Sequence, residues 1–257
     1  MGILNITPDS FYDKSRFSSK HDLLKRTETM LSEGATFIDV GAYSSRPGAE
    51  FVSEEEERKR LIPALEIILK EFPDLLLSAD TFRSNIARET IDLGASIIND
   101  ISGGDMDPEM FDVVVSKQVP YILMHMRGNP QTMSNLNNYD HLIVDIISEL
   151  QVKVYNLEKR GLNDIIIDPG LGFAKDLLQN YDIVKELNSF KRIGHPLLIG
   201  ASRKSMIYKL LECEPHSALI GTTVVHTTCL LNGASILRVH DVKEAIEAIK
   251  ITNLLKK

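Results

Sequence analysis

Six basic residues that come after short apolar segments of the sequence form a candidate site for an anion. They are Arg46, Lys175, Arg203, Lys204, Arg238 and His240. Arg238 and His240 are two positions apart, so in a strand their side chains would point to the same face. Because arginine and histidine donate hydrogen bonds to phosphate oxygens, the set predicts binding of a small anion of the phosphate type.

Polar residues at the ends of other apolar segments predict a second kind of contact. Asp80, Asn99 and Asp168 supply two carboxylates and an amide, which can pair with the donors and acceptors at the edge of a nitrogen heterocycle. Met124 and Phe173 would supply the apolar faces between which such a ring lies. Together with the basic residues, they predict a flat heterocyclic ligand that bears a phosphate-type leaving group.

Asn5 ends the first apolar segment and offers a neutral amide oxygen. Mg²⁺ accepts such an oxygen, retains most of its waters and shares oxygens of a bound anion. The histidines form neither an HxH nor an HxxxH pattern, which zinc sites often use. Asn5 is therefore a candidate oxygen ligand of a kind that suits Mg²⁺.

Other polar residues near these segments have ordinary structural interpretations. Asp39, Asp100 and Asp241 are expected to form turns or to cap the helices that follow. His125 and His226 are expected to be hydrogen-bonded interior histidines. None of the five is included in the predicted site.

Eight short apolar segments alternate with eight amphipathic ones. Continuous apolarity is typical of strands covered on both faces, as in a parallel sheet. The predicted strands are Gly2–Asn5, Phe37–Val40, Leu75–Ala79, Ile97–Asn99, Tyr121–Met124, Ile165–Ile167, Leu197–Ile199 and Ile236–Val239. The predicted helices are His21–Glu33, Glu54–Lys70, Ser84–Leu93, Pro108–Lys117, His141–Lys159, Leu177–Leu187, Ser205–Leu231 and Val242–Leu255, with Pro215 dividing the long one.

This strict β-then-α order, over 257 residues, predicts an α/β fold in the form of a single (β/α)8 TIM barrel. A doubly wound open sheet is the alternative, but the GxGxxG turn that usually follows its first strand is missing. Active sites of such barrels lie at the carboxyl-terminal ends of the strands, where the polar residues above occur. We predict one domain spanning residues 1–257, with its site at that end.

The composition restricts the partners. The chain has 29 Lys+Arg and 36 Asp+Glu, a formal net charge of −7, which argues against a nucleic-acid coat or an anionic membrane surface. No apolar run approaches the ~18 residues of a membrane span. Two cysteines, Cys213 and Cys229, cannot form a disulfide framework, which favours a reducing compartment. We expect a cytoplasmic enzyme whose substrates are small molecules and which binds neither nucleic acid nor membrane.

Four blocks of the sequence resemble the signatures of the dihydropteroate synthases. They are the opening Met1-Gly-Ile-Leu-Asn-Ile-Thr-Pro-Asp-Ser-Phe11 and the later Asp168–Phe173 (DPGLGF), Ser202–Ser205 (SRKS) and Arg238–Asp241 (RVHD). The resemblance covers essentially the whole chain. It implies a transferase that condenses (7,8-dihydropterin-6-yl)methyl diphosphate with 4-aminobenzoate, giving 7,8-dihydropteroate and diphosphate in folate biosynthesis.

The resemblance also implies a role for each site residue. Those that would bind the pterin are Asp80, Asn99, Asp168 and Lys204, with Met124 and Phe173 packed on its ring. Arg238 and His240 would bind diphosphate, and Asn5 would ligate Mg²⁺. The 4-aminobenzoate site would be bordered by Phe173, Lys204 and Ser202 and covered by two loops that carry Phe11 and Ser45, Arg46 and Pro47. The catalytic residues among them would be Asp80, Asp168, Lys204, Arg238 and His240.

The loop after the second predicted strand departs from the family. Dihydropteroate synthases usually have Glu-Ser-Thr-Arg-Pro-Gly there, whereas this chain has Tyr43-Ser-Ser45-Arg46-Pro47-Gly48. Sulfonamides mimic 4-aminobenzoate in this family, and the departure lies where sensitivity to them would be decided. The resemblance further implies a homodimer formed through barrel helices.

Two other functions remain open. A methyltetrahydrofolate-binding methyltransferase shares the barrel and a pterin-type site, but it needs no diphosphate-binding residues, so SRKS and RVHD count against it. A non-catalytic pterin-binding relative would have lost Asn5, Lys204 or Arg238, and all three are present.

Overall fold

The computed structural model describes residues 1–6, 16–43 and 51–256 of the chain. Within these ranges, eight strands alternate with helices. The strands are β1 (Gly2–Asn5), β2 (Phe37–Gly41), β3 (Leu76–Asp80), β4 (Ile97–Asp100), β5 (Tyr121–Met124), β6 (Ile165–Asp168), β7 (Leu198–Ile199) and β8 (Ile236–Leu237). The predicted strands are therefore confirmed, with ends that differ by at most two residues.

The strands form two parallel sheets that are joined into one ring. β1 to β6 pair in chain order, and β7 pairs with β8. Isolated parallel bridges join the sheets, between Ile167 and Leu197 at the β6–β7 seam and between Val239 and Gly2 at the β8–β1 seam. This order of pairing is the one that a (β/α)8 barrel requires, so the predicted fold is confirmed.

Helices connect successive strands, and a last helix follows β8. They are α1 (Arg16–Ser32), α2 (Glu54–Glu71), α3 (Ser84–Leu93), α4 (Met110–Lys117), α5 (Leu142–Lys159), α6 (Leu177–Lys185), α7 (Ser205–Tyr208), α8 (Leu219–Leu231) and α9 (Val242–Leu255). The Ser205–Leu231 segment is divided as predicted, because Pro215 begins a short 3₁₀ turn before α8. Within the described ranges, none of the helices combines the length and the apolar composition that crossing a bilayer requires.

Two separate apolar clusters show which strand residues point into the barrel. The larger cluster joins strand residues such as Leu4, Ile38 and Ile167 to the helices. The smaller contains Ile97, Ile122 and Leu198, with Met1, Phe37, Ile166 and Ile236 packed against it. Because its members come from strands around the ring, the smaller cluster fills the barrel interior near the amino-terminal ends of the strands.

The same interior face continues toward the carboxyl-terminal ends. Strand residues two positions apart share a face. Two positions after Phe37, Ile97, Ile122, Ile166 and Ile236 come Asp39, Asn99, Met124, Asp168 and Arg238. The side chains of these five residues therefore line the barrel interior next to the smaller apolar cluster. Four of the five are polar.

Candidate active site

Arg238 links two carboxylates across the interior of the barrel. Its Nε donates to Asp39 Oδ2 at 2.6 Å, and its Nη2 donates to Asp80 Oδ2 at 2.6 Å. Asn99 Nδ2 donates to the same Asp39 oxygen at 3.0 Å. One hydrogen-bonded unit therefore joins β2, β3 and β4 to the residue that follows β8.

The charges in this unit alter each other's protonation. Burial raises the pKa of Asp80 from 3.8 to about 7, while Arg238 opposes the rise and Asp39 adds to it. Burial alone would lower the pKa of Arg238, but Asp39 and Asp80 outweigh that effect and raise it. Arg238 is therefore a permanent cation, whereas Asp80 can gain or lose a proton near neutral pH.

The expectation that Asp39 forms a turn or caps a helix is wrong. It lies inside β2, is fully buried and binds Arg238 and Asn99. Its Oδ1 has no hydrogen-bond partner among the described residues. The sequence did carry a signal, because Asp39 follows Phe37 by two positions and so shares the interior face. A buried acid within a strand needs a cation, and Arg238 supplies it.

Asp168, Phe173 and Lys204 form a second group. Asp168, at the end of β6, accepts a hydrogen bond from Gly170 N at 2.8 Å, and burial raises its pKa against the opposing charge of Lys204. Lys204 Nζ donates to Leu171 O and lies 4.7 Å from the centroid of the Phe173 ring, a cation–π distance. Burial lowers the pKa of Lys204 to about 8, against the charge of Asp168.

A further apolar cluster, which we call the rim cluster, includes the two residues predicted to pack on a heterocycle. It consists of Phe82, Ile101, Met124, Met126, Met133, Phe173 and Ala174, with Tyr43 and Met106 packed against it. Met124 and Phe173 therefore come together although they lie 49 positions apart in the sequence. Lys204 connects the rim cluster to Asp168 through its contact with Phe173.

Lys175, a member of the predicted anion-binding set, contacts its own loop and His125. Its Nζ donates to Phe173 O at 2.8 Å and lies 3.0 Å from His125 Nδ1, and burial lowers its pKa to about 7. His125 Nε2 lies 3.0 Å from Glu149, which confirms His125 as a hydrogen-bonded interior histidine. Gly170 is required here, because its φ is 72° and a Cβ would lie 2.0 Å from His125 O.

Three other interpretations have mixed outcomes. Asp100 is confirmed as a turn former, since it accepts hydrogen bonds from the backbone N–H groups of Ser102 and Gly104 at 2.7 and 2.8 Å. Asp241 stands at the N-cap position of α9, but its side chain makes no capping hydrogen bond. His226 is buried as expected, yet its Nε2 has no partner among the described residues. The expectation for that nitrogen is wrong.

Two side-chain pairs join the loops after β7 and β8. Ser202 Oγ lies 3.0 Å from His240 Nδ1 and accepts the His240 backbone N–H at 3.1 Å. Arg203 binds Asp241 through Nε and Nη2. Arg203, like Arg238, is therefore paired with a carboxylate in this structure.

The surroundings of Asn5 restrict the kind of metal it could bind. Its side chain is exposed at the end of β1, and it pairs in register with Gly41, which pairs with Asp80. The described ranges contain no group of three or more His, Cys, Asp or Glu that could hold a metal. A single amide oxygen fits a hard cation such as Mg²⁺ that completes its shell with water and anion oxygens, and it does not fit a cage built from protein alone.

The predicted substrate-binding residues Ser45, Arg46 and Pro47 lie outside the described residues, as does Phe11. Tyr43, which precedes that loop, is described. Its ring packs edge-to-face on Phe82 with centroids 5.1 Å apart, and its hydroxyl accepts a hydrogen bond from Gln131 at 3.2 Å. The tyrosine that replaces the usual glutamate of the family therefore extends the rim cluster.

Known proteins resemble the chain along its length. Residues 1–240 match the family model of pterin binding enzymes. The dihydropteroate synthase of Synechocystis sp. is 42% identical over 258 residues, which cover 99% of this chain and 89% of that protein. Crystal structures are also similar. That of Yersinia pestis dihydropteroate synthase in complex with a sulfonamide drug has a TM-score of 0.92 at 39% identity, covering 100% of this chain and 93% of that one.

The Xanthomonas albilineans dihydropteroate synthase with 4-aminobenzoic acid has a TM-score of 0.90 at 33% identity, covering 100% of this chain and 92% of that one. Sequence and structure thus agree along nearly the full length of these relatives. The chain belongs to the pterin-binding enzymes and, among them, to the dihydropteroate synthases, which are transferases of folate synthesis.

Proposed function

We propose that this site performs the dihydropteroate synthase reaction by a dissociative displacement. (7,8-Dihydropterin-6-yl)methyl diphosphate and 4-aminobenzoate would give 7,8-dihydropteroate and diphosphate. The observation that carries the proposal is the unit formed by Asp39, Arg238 and Asp80 on the interior face of the barrel. It combines an oriented cation, suited to an anion, with buried carboxylates that can pair with a heterocycle.

The pterin would be bound by Asp80, Asn99, Asp168 and Lys204. Because the pKa of Asp80 is about 7, its carboxyl can donate or accept a hydrogen bond at neutral pH. Met124 and Phe173 of the rim cluster would pack on the ring. Such contacts exclude water and orient the exocyclic methylene group toward the second substrate.

The leaving diphosphate would be bound by Arg238 and His240. When the bond between the methylene carbon and the diphosphate oxygen breaks, the electron pair remains on the oxygen and the negative charge there increases. Asp39 orients Arg238, and Ser202 orients His240, so these donors need little rearrangement to stabilise that charge. Asn5 would ligate Mg²⁺, which when bound neutralises part of the diphosphate charge.

The amine would attack after the diphosphate has begun to leave. The methylene cation delocalises into the pterin ring, where the carboxylates of Asp80 and Asp168 would stabilise it. An aryl amine is already neutral at pH 7, so its orientation matters more than a strong base. The amine nitrogen forms the new C–N bond and then releases a proton to solvent. Trapping a pterin that is covalently attached to a side chain would contradict this mechanism.

Release of diphosphate by the purified chain tests the function. We expect release only when 4-aminobenzoate is added to the pterin diphosphate, with one dihydropteroate formed for each diphosphate. Chelation of divalent cations should lower the rate, and added Mg²⁺ should restore it. Transfer of a methyl group from methyltetrahydrofolate would instead identify a methyltransferase. Binding of the pterin diphosphate without turnover, with Mg²⁺ and 4-aminobenzoate present, would identify a non-catalytic relative.

We also propose that the chain forms a homodimer through α8. Ile220 and Val224 on that helix are 80% and 60% exposed. Residues four positions apart lie on the same side of a helix, so the two side chains form a continuous apolar surface. Apolar surfaces of this kind mark contacts with other protein molecules when they stand free on a folded chain.

Replacing both Ile220 and Val224 with glutamate is expected to convert the dimer into a monomer, because the charges would be buried without partners at the interface. Light scattering after gel filtration measures the change. Val144 and Val152 on α5 are 61% and 62% exposed and provide a matched control, whose double glutamate variant should remain dimeric. A wild-type chain that is monomeric at every concentration would contradict the proposal.

We further propose that the chain acts in the cytoplasm and that sulfonamides occupy its 4-aminobenzoate site. Cys213 and Cys229 both carry free thiols, as is usual in a reducing compartment. The Yersinia pestis relative was crystallised with a sulfonamide drug.

A further inference from the structure

Arg203 stands between two residues that face in different directions. Ser202 contacts His240 in the loop after β8, whereas Lys204 donates to Leu171 in the loop after β6. The backbone of Arg203 makes this change of direction possible, since its φ is 54°. That left-handed conformation is uncommon for any residue with a Cβ and usually falls to glycine.

An arginine in a conformation that suits glycine calls for a compensating interaction by its side chain. Arg203 donates from Nε to Asp241 Oδ2 at 2.9 Å and from Nη2 to Asp241 Oδ1. A guanidinium binds a carboxylate with this two-point geometry. The Arg203 backbone N–H donates to Thr222 Oγ1 of α8 at 3.1 Å, so the residue is fixed at both its backbone and its side chain.

We propose that Arg203 and Asp241 are positioning residues for the diphosphate site. Asp241 directly follows His240, and Arg203 lies between Ser202 and Lys204. The pair therefore fixes the distance between the two loops that carry Ser202, Lys204, Arg238 and His240. Strained backbone conformations persist where the surrounding structure holds them, and they concentrate at functional sites.

The inference rests on the proposed function, because the anion that the two loops would bind is the leaving diphosphate. It also explains why SRKS and RVHD occur together in one chain. Each pair takes one residue from SRKS and one from RVHD: Ser202 pairs with His240, and Arg203 pairs with Asp241.

The variants Arg203→Ala and Arg203→Gly separate the side-chain interaction from the backbone strain. Both lose the contact with Asp241, but glycine adopts the left-handed conformation without strain, so the glycine variant should have the higher melting temperature. We expect both to bind inorganic diphosphate in the presence of Mg²⁺ about 10- to 100-fold more weakly than the wild type in titration calorimetry, as for small displacements of binding groups. KM for the pterin diphosphate should rise more than kcat falls.

Two further variants complete the test. Asp241→Asn should weaken diphosphate binding to a similar degree, and combining it with Arg203→Ala should add little, because the two residues act as one pair. Arg160→Ala is the control, since it removes an exposed ion pair with Asp112 at the carboxyl-terminal end of α5, and its diphosphate affinity should equal that of the wild type.

The inference would be overturned if Arg203→Gly regained wild-type diphosphate affinity, because strain rather than the pair would then explain the alanine variant. Unchanged affinity in both Arg203 variants would also overturn it. A wild-type chain that neither binds nor releases diphosphate would instead overturn the proposed function, so the two failures can be told apart.

Discussion

Replacing Arg238 with alanine is expected to have the largest effect on both stability and activity. The change leaves Asp39 and Asp80 buried next to each other without their shared cation. Removing one partner of a buried ion pair costs about 3–5 kcal/mol of folding stability. The affinity for the pterin diphosphate should fall strongly, because the oriented donor for its anion is lost.

The loss of stability in Arg238→Ala should depend on pH. In the wild type, the pKa of Asp80 rises from 3.8 to about 7 on folding, and Arg238 is the group that limits this rise. Without Arg238, the folded-state pKa rises further. A carboxyl whose pKa is raised on folding stabilises the folded state at low pH and destabilises it as the pH increases. We therefore expect the variant to be closer to wild-type stability at pH 5 than at pH 8.

Denaturant unfolding at both pH values, with titration of the pterin diphosphate, measures these effects. Arg238→Lys is the matched control, since it keeps the charge but loses the planar donor geometry. It should recover more of the stability than of the substrate affinity. Wild-type affinity in the alanine variant would exclude Arg238 from the diphosphate site.

Replacing Asp168 with asparagine is expected to reduce kcat/KM by about 10²- to 10³-fold, a loss typical of removing one preorganised electrostatic group. The amide oxygen can still accept the Gly170 N–H that Asp168 accepts at 2.8 Å, so the loop should keep its structure. The negative charge that would stabilise the methylene cation is lost. The largest effect is therefore expected in kcat/KM.

The same substitution should change the titration of Lys204. Burial lowers the pKa of that amine to about 8, and Asp168 is the charge that raises it. In Asp168→Asn the pKa should fall below 8, so the amine loses its charge at a lower pH. The basic limb of the pH profile of kcat/KM should move in the same direction.

Asp100→Asn provides a contrast for these measurements. Asp100 is also a buried acid at a strand end, but it accepts hydrogen bonds from Ser102, Gly104 and Tyr121. Its amide variant should lose stability with little change in kcat/KM. Near-wild-type turnover in Asp168→Asn would remove that carboxylate from the proposed mechanism.

The sequence pattern predicts most of the fold because burial on both faces leaves a continuous apolar signal in each strand. Asp80, Asn99, Asp168 and Arg238 could be placed in the site from their positions at strand ends. The two isolated bridges of the ring could not be predicted. No side-chain pattern specifies where the pairing of two neighbouring strands shortens to a single bridge.

The contacts that the sequence did not predict have a common physical origin. Composition reveals a charge, but it does not reveal which neighbour the side chain meets. Lys175 and Arg203 are basic residues in the expected loops, yet one binds Phe173 O and the other binds Asp241. The preference of aspartate for turns predicts a turn at Asp39, whereas its spacing from Phe37 places it on the interior face of the barrel. Partners 199 positions apart, such as Asp39 and Arg238, leave no local signal.

Side-chain contacts of the site cross both seams of the barrel. The strand pair β7–β8 meets the six-stranded sheet at one isolated bridge on each side, and the Met1 amino group adds a hydrogen bond to Leu237 O at the β8–β1 seam. Arg238 crosses the β8–β1 seam to reach Asp39 and Asp80, and Lys204 crosses the β6–β7 seam to reach Leu171. These side chains therefore link the β7–β8 pair to the six-stranded sheet. A substrate that contacts both the β7–β8 pair and the six-stranded sheet would hold them together. Its binding would therefore raise the free energy of unfolding of the barrel.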